Sequence, residues 1–299
     1  MRGAWASWSL AVLTVVFAAL GAALILADDD ATARSAVYTG TPEFKVWATL
    51  IVAIIAALPA VWRVGVDLLR SLGLDPGRVL RTRAAPAIGA VIAVVAAAVI
   101  AGRYARGNGG AYYESPGRVG LIYLAAVTAA VPAFLAIWEC YRQLGREDDW
   151  HGPQPDVPVV RLLGVRQCLL SALTTVGLLV SAGVLATGAE RQAALAGPLR
   201  AEPYPAAYVL IWGLSFSGLL VVSFLPAFRR LTKVAAAMID TTFPLLPPGP
   251  GRWQGRLQER KDLADLLKVT SGAKDVITSG IIVAGPLISS AFSLLLPGR

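Results

Sequence analysis

Six stretches of this chain run for about the length of a membrane crossing without one charged side chain: Trp5–Ala27, Val46–Trp62, Ala84–Gly102, Val119–Trp138, Gln167–Ala186 and Ala206–Phe228. A helix rises about 1.5 Å per residue, so about 20 apolar residues cross the roughly 30 Å of hydrocarbon in a bilayer. Backbone amides in hydrocarbon must be paired within the segment or within a closed barrel. Barrel strands alternate apolar and polar residues over about ten positions, and these stretches do not alternate. Composition points the same way. Hydrophobic residues make up 56% of the chain and charged residues 15%, against roughly 45–50% and about 25% in soluble domains. The expected fold is an all-α integral membrane protein with six transmembrane helices.

Orientation follows from where Lys and Arg collect, since cytoplasmic loops hold an excess of them. With the amino terminus inside, 20 of the 27 basic residues fall in inner segments, and every hairpin has the same sign. Arg103, Arg106 and Arg118 make the middle outer loop the weakest case. Trp5, Trp8, Trp62, Trp138 and Tyr141 mark the inner interface, and Trp47, Tyr104, Tyr204, Tyr208 and Trp212 the outer one, where amphipathic rings suit the headgroup layer. The expected location is the cell membrane, multi-pass, with the amino terminus cytoplasmic. Ala31-Thr32-Ala33 has the form of a signal-peptidase site. The apolar run before it is long for a signal peptide and Asp28, Asp29 and Asp30 intervene, so the first span is expected to be retained.

Three regions are expected. Residues 1–228 form a six-helix transmembrane domain of three hairpins. Residues 229–275 form a cytoplasmic basic and Pro-rich linker with an amphipathic helix, and residues 276–299 an apolar terminal segment. In the second region Trp253, Leu257, Ala264 and Leu267 recur at helical spacing, which suits a helix lying on anionic lipid or one packed on the inner loops. In the third, Gly280 and Gly285-Pro286 interrupt an otherwise apolar run. It is a seventh span, a re-entrant segment or a docked tail. Spans two, four and six share similar tetrads, Leu58-Pro59-Ala60-Val61, Val131-Pro132-Ala133-Phe134 and Leu225-Pro226-Ala227-Phe228. They suit a repeated hairpin, as in many transporters, although proline is common in membrane helices.

Chemistry is thinly signalled. Buried charges usually mark proton relays and in-membrane acids or bases, and none of the six spans holds one. Their polar side chains are mainly hydroxyls. Ser171, Thr174 and Thr175 share a helix face, and Ser215 and Ser217 lie in span six; they serve helix packing or line a solute path. His151, within Arg146-Glu147-Asp148-Asp149-Trp150-His151, matches no zinc spacing. Asp28, Asp29 and Asp30 suit a solvated cluster, and Gly107-Asn108-Gly109-Gly110 lacks the Lys of a phosphate loop. Cys140 and Cys168 at cytoplasmic span ends imply no disulfide framework. No catalytic, metal or cofactor site is expected.

A net charge of +8 would raise nucleic acid as a partner in a soluble chain. Here the basic residues flank apolar runs, so no nucleic acid is expected. Anionic inner-leaflet lipid is, with a protein partner or a second copy of the chain. The leading functional expectation is a non-enzymatic membrane component acting through helix packing and a cytoplasmic tail. The alternatives are a small-solute permease or channel, and an enzyme acting on lipid-linked substrate at the inner face through Asp67, Asp75, Asp148, Asp149 or His151. Arg- and Ala-rich usage suits a bacterial source.

Overall fold

The computed structural model describes residues 2–26, 40–82, 89, 116–146, 150, 156–196, 206–244, 253–267, 282 and 284–291. They are helical almost throughout. Six helices order the fold: α1 (Arg2–Leu26), α2 (Pro42–Ser71), α3 (Pro116–Gln143), α4 (Asp156–Ala196), α5 (Ala206–Thr242) and α6 (Trp253–Leu267). Four stretches within them are long and apolar enough to cross a membrane: Pro42–Ser71, Leu121–Gln143, Val157–Ala196 and Ala206–Thr242. They coincide with the second, fourth, fifth and sixth stretches read from the sequence. In α1 the apolar helix of described side chains is the shorter Leu10–Ala23. The third stretch, Ala84–Gly102, lies outside the described residues except for Gly89.

The long helices do not stop where charge begins. α4 runs unbroken through Arg161 and Arg166 at one end and Glu190 and Arg191 at the other, for roughly 60 Å, about twice the hydrocarbon thickness. α5 likewise passes Arg229, Arg230 and Lys233 and ends only at Thr242, where a linker had been expected from residue 229. Charge limits what enters hydrocarbon. It does not limit helix formation, because the i to i−4 bonds are internal. Pro59, Pro132 and Pro226 of the three similar tetrads all lie inside helices.

α2 shows how local sequence sets a boundary. Thr41 caps it, its hydroxyl accepting from the Phe44 amide at 3.2 Å. Pro42 takes the first position and Glu43 sits in the first turn, where a missing N–H and a negative charge are both favoured. At the far end Gly73 has φ +72°, a left-handed conformation open to glycine. There Leu74 N bonds Leu69 O at 3.2 Å and Gly73 N bonds Arg70 O at 2.9 Å, the paired bonds of a glycine stop.

Contacts fix the directions. Gly65 of α2 lies against Pro132 and Ala133 of α3, and Gly145 after α3 lies against Arg230 of α5. Gln143 Nε2 donates to Leu72 O at 3.1 Å, and Cys168 of α4 reaches Leu68 O. α2, α3 and α5 therefore run the same way, and α4 runs opposite. One end of the bundle carries Arg63, Arg70, Arg142, Arg146, Arg161, Arg166, Arg229 and Arg230 and is called the basic end. The other carries Lys45, Trp47, Glu190 and Arg191 and is called the Glu190 end.

Two apolar clusters hold the bundle. The larger spans the middle and basic end, with Leu135, Leu162, Leu169, Leu173 and Leu231 nearly inaccessible; the smaller centres on Trp47, Ile54, Leu58 and Ala186. Val16, Leu178, Leu214 and Val222 point outward and are exposed. In water such faces would be a liability; in a bilayer they meet acyl chains. The described residues form a helical membrane protein.

Candidate functional site

The Glu190 end contains a cavity of about 90 Å³ between α2, α3, α4 and α5. Its α4 wall is a stripe of Leu179, Val180, Gly183, Ala186, Thr187 and Glu190, the spacing that places residues on one helix face. α3 supplies Ile122, Tyr123, Ala126 and Ala130 at the same periodicity; α2 adds Trp47, Ile51 and Ile54, and α5 adds Phe216 and Leu219. Thr187 and Glu190 give the lining its polar character, at one end. The Thr187 hydroxyl donates to Gly183 O at 3.1 Å. A Cβ placed on Gly183 would meet nothing within 4 Å, so this glycine borders open space.

An aromatic stack backs the cavity. The Trp212 ring lies 5.6 Å from Tyr123 at 6°, 5.3 Å from Phe216, and edge-on to Tyr208 at 6.3 Å. Such pairs add about 0.5–1.5 kcal/mol beyond their buried area. Trp212 is 2% exposed, and its Nε1 has no hydrogen-bond partner among the described residues; nor has Ser217 Oγ. Buried polar atoms are seldom left so, and both are on α5, the helix whose Phe216 and Leu219 complete the wall.

Of the hydroxyls singled out from the sequence, none borders the cavity. Ser171, Thr174 and Thr175 occupy a face of α4 about a third of a turn away from the lining stripe. They are half-buried. Thr174 and Thr175 donate to Leu170 O at 2.9 Å and Ser171 O at 2.8 Å, and Ser171 Oγ accepts from Gln167 at 3.4 Å. Ser215 is half-buried and Ser217 buried on α5. Near the α4 hydroxyl face the terminal segment docks. A Cβ on Gly177 would lie 2.6 Å from Ile282 Cγ2, and one on Gly285 2.7 Å from Ser181 Oγ. On α5, a Cβ on Gly213 would lie 2.5 Å from Ser290 Oγ and 2.8 Å from Pro286 O. Small residues thus let residues 282 and 284–291 approach two helices closely, as in membrane packing generally.

At the basic end, side chains seal the helix ends. Trp150 Nε1 donates to Gln143 O at 3.3 Å and carries the Arg161 guanidinium over its ring at 5.2 Å. Arg230 lies over the Tyr141 ring at 4.7 Å. α6 docks here: Arg260 pairs with Asp240 and donates to Phe243 O at 3.0 Å, while Leu263, Ala264 and Leu267 join the larger cluster. Cys140 and Cys168 are free and buried, with Cys140 Sγ 3.9 Å from Val165 O and Cys168 Sγ 4.0 Å from Leu68 O. Asp67 pairs with Arg63 and Arg70, and Asp75 accepts from the Gly77 amide at 3.0 Å. Asp148, Asp149, His151, Asp28, Asp29, Asp30 and the Gly107–Gly110 stretch lie outside the described residues. Among the described residues no three His, Cys, Asp or Glu side chains come together as metal ligands.

The cavity wall was not singled out from the sequence. Thr187 and Glu190 fall just past the end assigned to span five. Their only signal was the continuation of one apolar stripe into two polar residues. Comparison with protein-family models, with curated proteins and with solved structures finds no match for this chain.

Proposed function

We propose that this chain is a six-span, non-enzymatic component of the cell membrane that acts by packing against a partner chain, with its basic end and amino terminus in the cytoplasm. The observation that carries it is the built platform at the basic end. α5 projects beyond its apolar stretch, and α6 is clamped to it through Arg260, Asp240 and Leu267. This leaves Arg256, Leu257 and Lys261 exposed on a held surface. A helix without chemistry of its own, held in one place by both an ion pair and apolar burial, suits recognition.

The topology has two supports. α2 and α3 are consecutive among the described long helices and run in the same direction, which suits a reading with one further crossing between them. The basic residues at one end of the bundle outnumber those at the other, the asymmetry that sets cytoplasmic orientation. Arg256 and Lys261 also suit anionic inner-leaflet lipid, at about 1 kcal/mol per basic residue near the surface.

The test is purification of the full chain from its native membranes in mild detergent. A second chain is expected in fixed ratio. It should be lost from the triple variant Arg256→Glu, Leu257→Asp, Lys261→Glu, whose positions are exposed, without loss of folded protein. Recovery of the chain only as a monomer would rule the proposal out.

A further inference from the structure

We propose that the cavity at the Glu190 end is a binding site for one long alkyl chain, whose polar head stays toward the Glu190 end of the slot.

Length is the first support. Along α3 the lining extends from Ile122 to Phe134, twelve residues or about 18 Å of helix. Half the hydrocarbon of a bilayer is about 15 Å, so the apolar wall is long enough for a chain hanging from one leaflet; the enclosed space of about 90 Å³ holds only a few of its carbons, and the rest lies along the open side of the groove. Polarity is the second. Thr187 and Glu190 lie at one end, while Ile54, Phe134, Leu219 and Val180 line the deeper part, the order of head and tail in a lipid. A polar solute would lose its water there and find few partners in exchange. An apolar tail loses nothing, because it leaves hydrocarbon for an apolar wall.

The third support is the missing side chain at Gly183. A helix interior ordinarily favours alanine over glycine by about 1 kcal/mol, yet here the wall stands open where a methyl group would meet nothing within 4 Å. The neighbouring glycines Gly177 and Gly213 are explained by the segment packed on them. Gly183 has no such neighbour, and the space it leaves opens the middle of the slot.

Two sources supply this chemistry: the tail of a bilayer phospholipid, or a free fatty acid. Photo-crosslinking separates them. The full chain is placed in phosphatidylcholine vesicles carrying either phosphatidylcholine with a mid-chain diazirine or a free diazirine fatty acid, irradiated, and mapped by peptide mass spectrometry. Labelling is expected at Ile54, Ala130 and Ala186, which are buried from surrounding lipid, as well as at the lipid-facing Leu178 and Val222. Whichever probe reaches the buried positions identifies the source. Gly183→Phe fills the slot from α4 and Ala126→Phe fills it from α3. Each is expected to cut the buried labelling at least tenfold, with Leu178 and Val222 still labelled as evidence of the fold; Gly183→Ala should cut it less. Label confined to Leu178 and Val222 with both probes would overturn the proposal. So would buried labelling unchanged in both filling variants.

Discussion

Glycine does opposite things at two positions of this bundle, and the difference is readable in stability. At Gly65 a side chain would run into backbone, since a Cβ would lie 2.7 Å from Ala133 N and 2.8 Å from Pro132 Cβ. Backbone cannot swing aside as a side-chain tip can. Gly65→Val is expected to destabilise by about 2–3 kcal/mol, the upper range for overpacking. Gly183→Ala meets open space and replaces the worse helix former, so it is expected to be neutral or stabilising by up to about 1 kcal/mol. Thermal unfolding of both variants in the same detergent, followed by the fluorescence of buried Trp47 and Trp212, checks the contrast. Equal midpoints would mean that α2 and α3 do not approach as described. The hydroxyls illustrate a different limit. That Ser171, Thr174 and Thr175 share a face was legible from spacing alone. That Thr174 and Thr175 turn back onto their own helix was not, because an intrahelical carbonyl and a neighbouring helix compete for the same donor.

For the elements, the informative case is α6. Its spacing left two options open, lying on lipid or packing on the protein, because the periodicity identifies an apolar stripe without naming what covers it. In the structure Leu263, Ala264 and Leu267 meet the bundle while Leu257 and Leu266 stay exposed. Leu267 is buried and Asp240 is largely exposed, so apolar burial should outweigh the ion pair. Leu267→Ala is expected to weaken docking by about 2–3 kcal/mol, and Arg260→Ala by less than about 1 kcal/mol. Hydrogen exchange of residues 253–267 checks the order: protection should fall much further in Leu267→Ala. A larger loss in Arg260→Ala would place the docking energy in the polar contacts instead. The lengths of α4 and α5 make a related point. Apolar runs measure the part of a helix that hydrocarbon can hold, so boundaries set at Gln167, Ala186 and Phe228 measured the bilayer and fell short of the helix.

At the scale of the molecule, orientation can be tested with the chain's own chemistry. Cys140 and Cys168 are buried, so thiols added at exposed sites can be labelled with the native cysteines in place. Ser71 at the basic end and Ala196 beyond the Glu190 end are both exposed. With the basic end in the cytoplasm, Ala196→Cys should react with a membrane-impermeant maleimide in intact cells. Ser71→Cys should react only after permeabilisation. The reverse pattern would invert the proposed topology and place the α6 platform outside. The terminal segment adds a depth marker. Counted along α4, Gly177 and Ser181 lie about 16 and 22 Å from Arg166, so residues 282 and 285 pack well inside the bundle's length.

Sequence by itself determined the solvent of this protein, the identity of four of its long helices and the sign of its charge asymmetry, because each depends on local quantities: apolar length, hydrogen bonds internal to a segment, and charges at segment ends. Only the tertiary structure decided where α6 and residues 282 and 284–291 pack, which hydroxyls among the described residues stay unpartnered, and that stripes on four separate helices leave a slot between them. A cavity is a property of how faces meet. No single helix encodes the neighbour across from it, so neither Gly183 nor Glu190 could be recognised until the bundle had closed around them.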